Sequence, residues 1–286
     1  MTMKMQLSFK TGALCVVAFA LAAMARASAD DAATFNGVSA APAAAALRAS
    51  VVVGGSGLTR SLAIEERAVR TGARVSAFNV DMQKRMHLIV VSDDLSEFMH
   101  LHPTLDSAGT FRITTTFPHP GFYHLYADAE PAGFGHAVFR FDVPIDVTRP
   151  ATTSPRRFSP IVVATLGDYV VRLSTDRVKA RVDTPILISI MKDGEPASDL
   201  HPYLGAYAHI VAIGTADLSY THIHAMAMSS MAGVSMENAP SLPANAAVPA
   251  TMPVHIRLPH PGLYKVWVQF NGGSRLYVAP FVISAS

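Results

Sequence analysis

Residues 87–102 read HLIVVSDDLSEFMHLH, and residues 209–224 read HIVAIGTADLSYTHIH. Each segment starts with an apolar run behind a histidine, turns among polar residues around Asp-Leu-Ser, and closes on His-x-His. Two β-rich runs separated by a turn cluster form the pattern of a hairpin. Folding the first copy between Asp94 and Leu95 sets His87 opposite His102, with Cβ atoms roughly 4.5 to 5.5 Å apart. His100 shares that face, because side chains alternate along a strand. His87, His100 and His102 are therefore expected to meet. The same construction gathers His209, His222 and His224, with the fold-back near residues 215–217.

A second block repeats in the same order. Phe117-Pro-His-Pro-Gly-Phe-Tyr123 returns as Leu258-Pro-His-Pro-Gly-Leu-Tyr264. His119 and His260 each precede a proline, which favours extended backbone, and Pro-Gly suits the centre of a type II turn. Tyr123 and Tyr264 stand where a tyrosine corner would place them. Two blocks repeated in order predict an internal duplication, with a first module at 48–148, a Pro-, Ser-, Thr- and Arg-rich linker at 149–158 and a second module at 159–286. Other short β-rich runs, such as 110–117, 137–143, 185–191 and 276–283, recur between turn signals at the spacing of a sandwich. The expected fold is all-β, two tandem antiparallel β-sandwich domains.

The N-terminus indicates export. Lys4 and Lys10 precede an apolar stretch from Ala13 to Met24, and small residues at 25–29 offer a cleavage pattern, so residues 1–27 are read as a removed signal peptide. The apolar stretch falls short of the ~20 residues that span a bilayer. Residues 28–47 are expected to be a flexible leader. The mature chain is placed in the periplasm or outside the cell, with no membrane span. Losing Lys4, Lys10 and Arg26 lowers the basic count from 23 to 20 against 21 acidic residues, so the formal charge moves from +2 to −1. No basic field remains to attract nucleic acid. The single cysteine, Cys15, leaves with the signal peptide, which excludes disulfides, Cys-ligated zinc and a His₂Cys copper centre.

What remains is imidazole. Eight histidines recur at matched places, His87, His100, His102 and His119 against His209, His222, His224 and His260, and converging imidazoles are the commonest metal ligands. About one ion per module is expected. His124, His136 and His255 are read as surface residues, while His201 adjoins the second module without a counterpart in the first. The second module also carries 19 extra residues between its His-x-His and its Pro-His-Pro-Gly: 36 separate His224 from His260, against 17 from His102 to His119. This insertion, at 226–252, holds Met226, Met228, Met231, Met236 and Met252. Thioethers favour Cu(I), so Met226 and Met228 join the candidate ligands and copper is preferred, with zinc as the alternative.

These strings, MHLIVVSDDLSEFMHLHP and DLHPYLGAYAHIVAIGTADLSYTHIH, each followed by a PHPGxY turn, resemble exported bacterial proteins with His-rich immunoglobulin-like or cupredoxin-like modules, candidate heavy-metal (copper) handling factors. The resemblance implies a periplasmic copper carrier, buffer or resistance accessory, with a metal ion and another periplasmic metal-handling protein as partners. Two other classes remain open. A His-ligated zinc or copper enzyme lacks a Gly-x-Ser-x-Gly elbow or His-Glu-x-x-His helix, and its only candidate bases, Asp94 and Asp217, are equally suited to turn formation. A non-metal adhesion or assembly protein is an ordinary use of two sandwiches.

Overall fold

The computed structural model describes residues 32–40, 46–147, 157–174, 178–226 and 241–286. Residues 1–27, expected to be a signal peptide, and most of the expected linker fall outside them. No α-helix occurs among the described residues, and so none long and apolar enough to cross a membrane. The described residues fall within one compact unit.

Four antiparallel sheets build two sandwiches. In the first half, one sheet runs β1 (Ala33–Asn36), β3 (Leu47–Gly54), β4 (Thr59–Ala68), β8 (Thr110–Thr116), β7 (Thr104–Leu105). Its partner runs β2 (Val38–Ser39), β10 (Ala137–Ile145), β9 (Gly121–Ala129), β5 (Met86–Ser92), β6 (Phe98–Leu101). In the second half, β11 (Val163–Leu166), β12 (Tyr169–Ser174), β13 (Thr184–Lys192) and β14 (Glu195–Pro196) form one sheet, to which β18 (Thr251–Ile256) is added through β13. The other runs β15 (Leu200–His201), β19 (Gly262–Gly272), β16 (Ala208–Gly214), β17 (Tyr220–Ala225), with β20 (Arg275–Ala285) also on β19.

The halves repeat one pairing scheme. β5 pairs with β6 and β9, and β9 with β10; likewise β16 pairs with β17 and β19, and β19 with β20. Both His-x-His strands thus hold the same topological place, as a duplication requires. Residues 33–39, expected within a flexible leader, instead form β1 and β2, which add backbone hydrogen bonds to β3 and β10. Ser50–Val80, poor in strand signals, contains most of β3 and all of β4, whose alternation buries Val51, Val53, Leu62 and Ile64.

The apolar runs of β5 and β16 do not alternate because both faces are covered. Met86, Leu88 and Val90 point into the first sandwich, and Ala208, Ile210 and Ala212 into the second. The intervening Ile89 and Val91 meet Val211 and Ile213 in a third apolar cluster, with Tyr126, Val138 and Trp267, which joins the two halves face to face. Two stacked pairs lie in this seam. Phe98 lies on Trp267 with ring centres 4.8 Å apart, and Tyr220 on Tyr126 at 4.8 Å. Phe98 and Tyr220 hold equivalent places in the repeat, as do Tyr126 and Trp267, so the halves are related by an approximate twofold axis.

Candidate metal centre

One step along the same strands from the stacked pairs, the histidines meet on that axis. In β5 and β6 the register pairs Ile89 with His100 and Leu88 with Leu101, and in β16 and β17 it pairs His209 with His224 and Val211 with His222. His87, on the same face as Ile89, therefore follows the apolar seam into a polar patch, and His209 follows Val211 from the other side. The six rings of His87, His100, His102, His209, His222 and His224 form one cluster, with neighbouring ring centres 4.5 to 6.2 Å apart. Sequence left open whether the modules keep separate sites. The structure puts both sets in one place.

Hydrogen bonds fix which nitrogen of each inner ring faces the axis. A backbone carbonyl can only accept, so Nε2–H of His87 donates to the Asp81 carbonyl at 3.2 Å, and Nε2–H of His209 to the Tyr203 carbonyl at 3.0 Å. Both carbonyls sit on tight turns with two successive left-handed residues, Met82 (φ 40°) and Gln83 (φ 66°), then Leu204 (φ 46°) and Gly205 (φ 77°). Such conformations cost a non-glycine residue of order 1–3 kcal/mol. Nδ1–H of His222 donates to the Asp128 carboxylate at 3.1 Å, and Nδ1–H of His100 to the Gln269 side-chain oxygen at 2.5 Å. Asp128 and Gln269 are equivalent in the repeat, and each serves a ring of the opposite half.

The remaining nitrogens, Nδ1 of His87 and His209 and Nε2 of His100 and His222, all point at one another within 4.8 Å. Nδ1 of His87 lies 2.9 Å from Nε2 of His100, and Nδ1 of His209 lies 3.4 Å from Nε2 of His222. With all four second nitrogens donating outward, the inner nitrogens of neutral rings carry lone pairs only. Facing lone pairs repel unless a cation lies between them. At the usual metal to nitrogen distance of about 2.0–2.1 Å, tetrahedral ligands lie roughly 3.3 Å apart, close to the observed spacings.

The electrostatics favour the neutral, ligating form of His87, His100, His102, His209 and His224. Burial first, then neighbouring imidazoles, push His87 down to about 3 and hold His100, His209 and His224 well below the usual range. Burial and the Lys84 charge take His102 to about 4. Asp128 opposes that trend. Burial pushes its carboxyl up, but hydrogen bonds from His136 and His222 hold it well below the carboxylate range. It also accepts the Tyr220 hydroxyl at 2.7 Å and His136 Nε2 at 2.5 Å. This is the carboxylate–histidine arrangement that orients metal ligands and raises their basicity. A cavity of about 20 Å³, lined by Asp81, Lys84, His87, Asp128 and His136 among others, adjoins the cluster.

The Pro-His-Pro-Gly histidines lie elsewhere. Gly121 and Asp128 are seven residues apart on β9, as Gly262 and Gln269 are on β19, so each turn sits roughly 23 Å along its strand from the cluster. His119 is exposed and contacts Glu97 at 3.4 Å, while His260 donates to Asp217 at 2.6 Å. The turns do hold the corner tyrosines, whose hydroxyls donate to the His119 and His260 carbonyls at 2.8 Å in both copies. Asp94 accepts from Ser92 and Ser96 and Asp217 from Ser219, around the left-handed Leu95 and Leu218, so Asp-Leu-Ser is a turn. His124, expected on the surface, is buried between Asp142 at 2.7 Å and Asp93 at 3.1 Å. His201 is exposed on β15, and His255 pairs with Asp183. Met226 is buried against Met82, Ala206 and Leu242, and Met252 lies in the second core. Met228, Met231 and Met236 lie outside the described residues.

Fold and site together define a two-sandwich protein whose halves share a buried imidazole cluster able to hold a metal ion. The chain belongs to the family described as Domain of unknown function (DUF8832), which matches residues 54–147 and 164–286. Among curated proteins, comparison finds no significant match.

Proposed function

We propose that the protein is an exported copper-binding protein, a periplasmic carrier, buffer or resistance accessory, whose cargo sits between the inner nitrogens of His87, His100, His209 and His222. The observation that carries this reading is the set of four ring nitrogens within 4.8 Å of one another, while the second nitrogen of each ring is engaged outward in a hydrogen bond. Neutral imidazole accommodates copper in either oxidation state, and an all-nitrogen site favours Cu(II) over Zn(II) in the usual order of divalent affinities. The N-terminal basic and apolar pattern supports export. Sharing ligands between halves suits a carrier, because slight separation of the halves weakens all four bonds together.

The test is metal analysis of the protein purified from the periplasm, followed by Cu(I), Cu(II) and Zn(II) titration of the native chain and of His100→Ala/His222→Ala. Tight copper binding that the double variant loses is the expected result. Binding of no metal would move the protein to the adhesion class. Binding of zinc in preference to both copper states would remove copper as the cargo.

A further inference from the structure

We infer that the cluster holds two copper ions, each ligated by three imidazoles of one half: His87, His100 and His102 on one side of the axis, His209, His222 and His224 on the other. This rests on the copper reading above and extends it to two histidines that the four-nitrogen site leaves without a task. His102 and His224 hold matching places in the repeat, and Nε2 of each is buried with no hydrogen-bonding partner among the described residues. One unpartnered buried nitrogen can be an accident of packing. The same ring atom unpartnered at both equivalent positions, each ring centred 4.6 Å from its His-x-His neighbour, calls for a common cause. A lone pair directed at an ion supplies it.

The inner nitrogens divide along the same boundary. The short separations, 2.9 Å for His87 and His100 and 3.4 Å for His209 and His222, are both within one half. Two ligands at about 2.0–2.1 Å from one ion, at angles between a right angle and a trigonal one, lie roughly 2.9 to 3.5 Å apart. Each pair thus already spans two neighbouring positions around its own ion, and the unpartnered Nε2 of that half is the third. Ring centres agree. They are 4.6 to 5.2 Å apart within the first trio and 4.5 to 5.6 Å within the second, against 5.1 to 6.2 Å between trios. Charge selects the oxidation state. Asp128 is the one carboxylate hydrogen-bonded to a ring of the cluster among the described residues, and two divalent ions would bring two more positive charges into the site than two monovalent ions. In a buried site that difference favours the pair of Cu(I) ions.

Anaerobic titration of the full chain with Cu(I) against a chromophoric chelator reads the stoichiometry, and X-ray absorption at the copper edge counts nitrogen ligands. The native chain should take up two equivalents, with about three nitrogens per copper at full loading. His102→Gln/His224→Gln should take up one equivalent, ligated by about four nitrogens. Saturation of the native chain at one equivalent with four nitrogens would overturn the proposal while leaving the copper reading standing, whereas no uptake at all would sink the parent reading. Two equivalents in the double variant would also overturn it. Should that variant fold poorly, the single replacements and the native ligand count decide the matter.

Discussion

Glu66 offers a perturbation whose size follows from the structure. It lies on β4 with its side chain turned into the first sandwich, fully buried, and neither carboxylate oxygen has a hydrogen-bonding partner among the described residues. Strand pairing shows its counterpart: Leu62 faces Ile113 as Ile186 faces Val254, so four residues further along Glu66 corresponds to Ile190, a core residue. Burial, with a smaller contribution from the Asp128 charge, raises the Glu66 pKa from 4.5 to about 8. A carboxyl with a raised folded pKa binds more protons folded than unfolded between those values, so its stabilisation is complete below 4.5 and is lost as pH climbs through the window to about 8. At pH 7 the accumulated loss is about 3 kcal/mol, and at pH 5 it is under about 1 kcal/mol. Glu66→Gln removes this dependence, and Glu66→Ile also removes the unpaired polar atoms. Urea denaturation of the three proteins at pH 5, 7 and 8 is the assay. Both variants should exceed the native chain by about 3 kcal/mol at pH 7, with the Gln advantage mostly gone at pH 5. A Gln variant less stable than native at pH 7, or an advantage independent of pH, would show that Glu66 has a compensating partner and is not destabilised by burial.

Three further outcomes are expected. First, a folded His87 pKa of about 3 against 6.5 unfolded means its stabilisation is complete well above pH 6.5 and falls by about 1 kcal/mol from pH 6.5 to 5.5, yet the folded His87 ring need shed no proton there. Copper affinity of the folded chain, measured by chelator competition, should thus change less than about threefold from pH 7.5 to 5.5, where an exposed histidine ligand loses about tenfold; a tenfold loss would contradict ligation by rings that burial keeps neutral. Second, Asp128→Asn should weaken copper binding by about 10 to 100-fold, and more than Gln269→Leu, since only the first removes charge from a ligand's partner; equal effects would deny Asp128 an electrostatic part. Third, Trp267, the only tryptophan, lies in the seam two residues from Gln269, so Cu(II) binding should quench its fluorescence and a chelator should restore it. Binding without quenching would place the ion elsewhere.

The two sandwiches and the grouping of three histidines on one face of each hairpin were legible in the sequence because both follow from local repetition; that the two trios meet was not. A hairpin fixes its own register, and His-x-His on alternating strands must share a face. The partners that decide the chemistry were not legible. Asp128 and Gln269 are equivalent by position, five residues after the repeated tyrosines, but differ in type, so comparing the copies for identical residues passes over them. Their role depends on contacts between halves, and no local rule says that β5 and β16 face each other. A signal was nevertheless present: MHLIVV and AHIVAIG are apolar on both faces, whereas an exposed sandwich face should alternate. Such a strand has two surfaces to bury, and in a duplicated chain the nearest complementary surface is the other copy. Once the runs are set face to face, the aromatic pairs, the crossed hydrogen bonds and the single shared cluster follow from one another. His119 and His260 were drawn into the candidate set by the same repetition, yet repetition reports shared ancestry of structure as readily as shared chemistry. Their backbone carbonyls hold the corner tyrosines in both copies, and that structural task alone accounts for the recurrence of the motif.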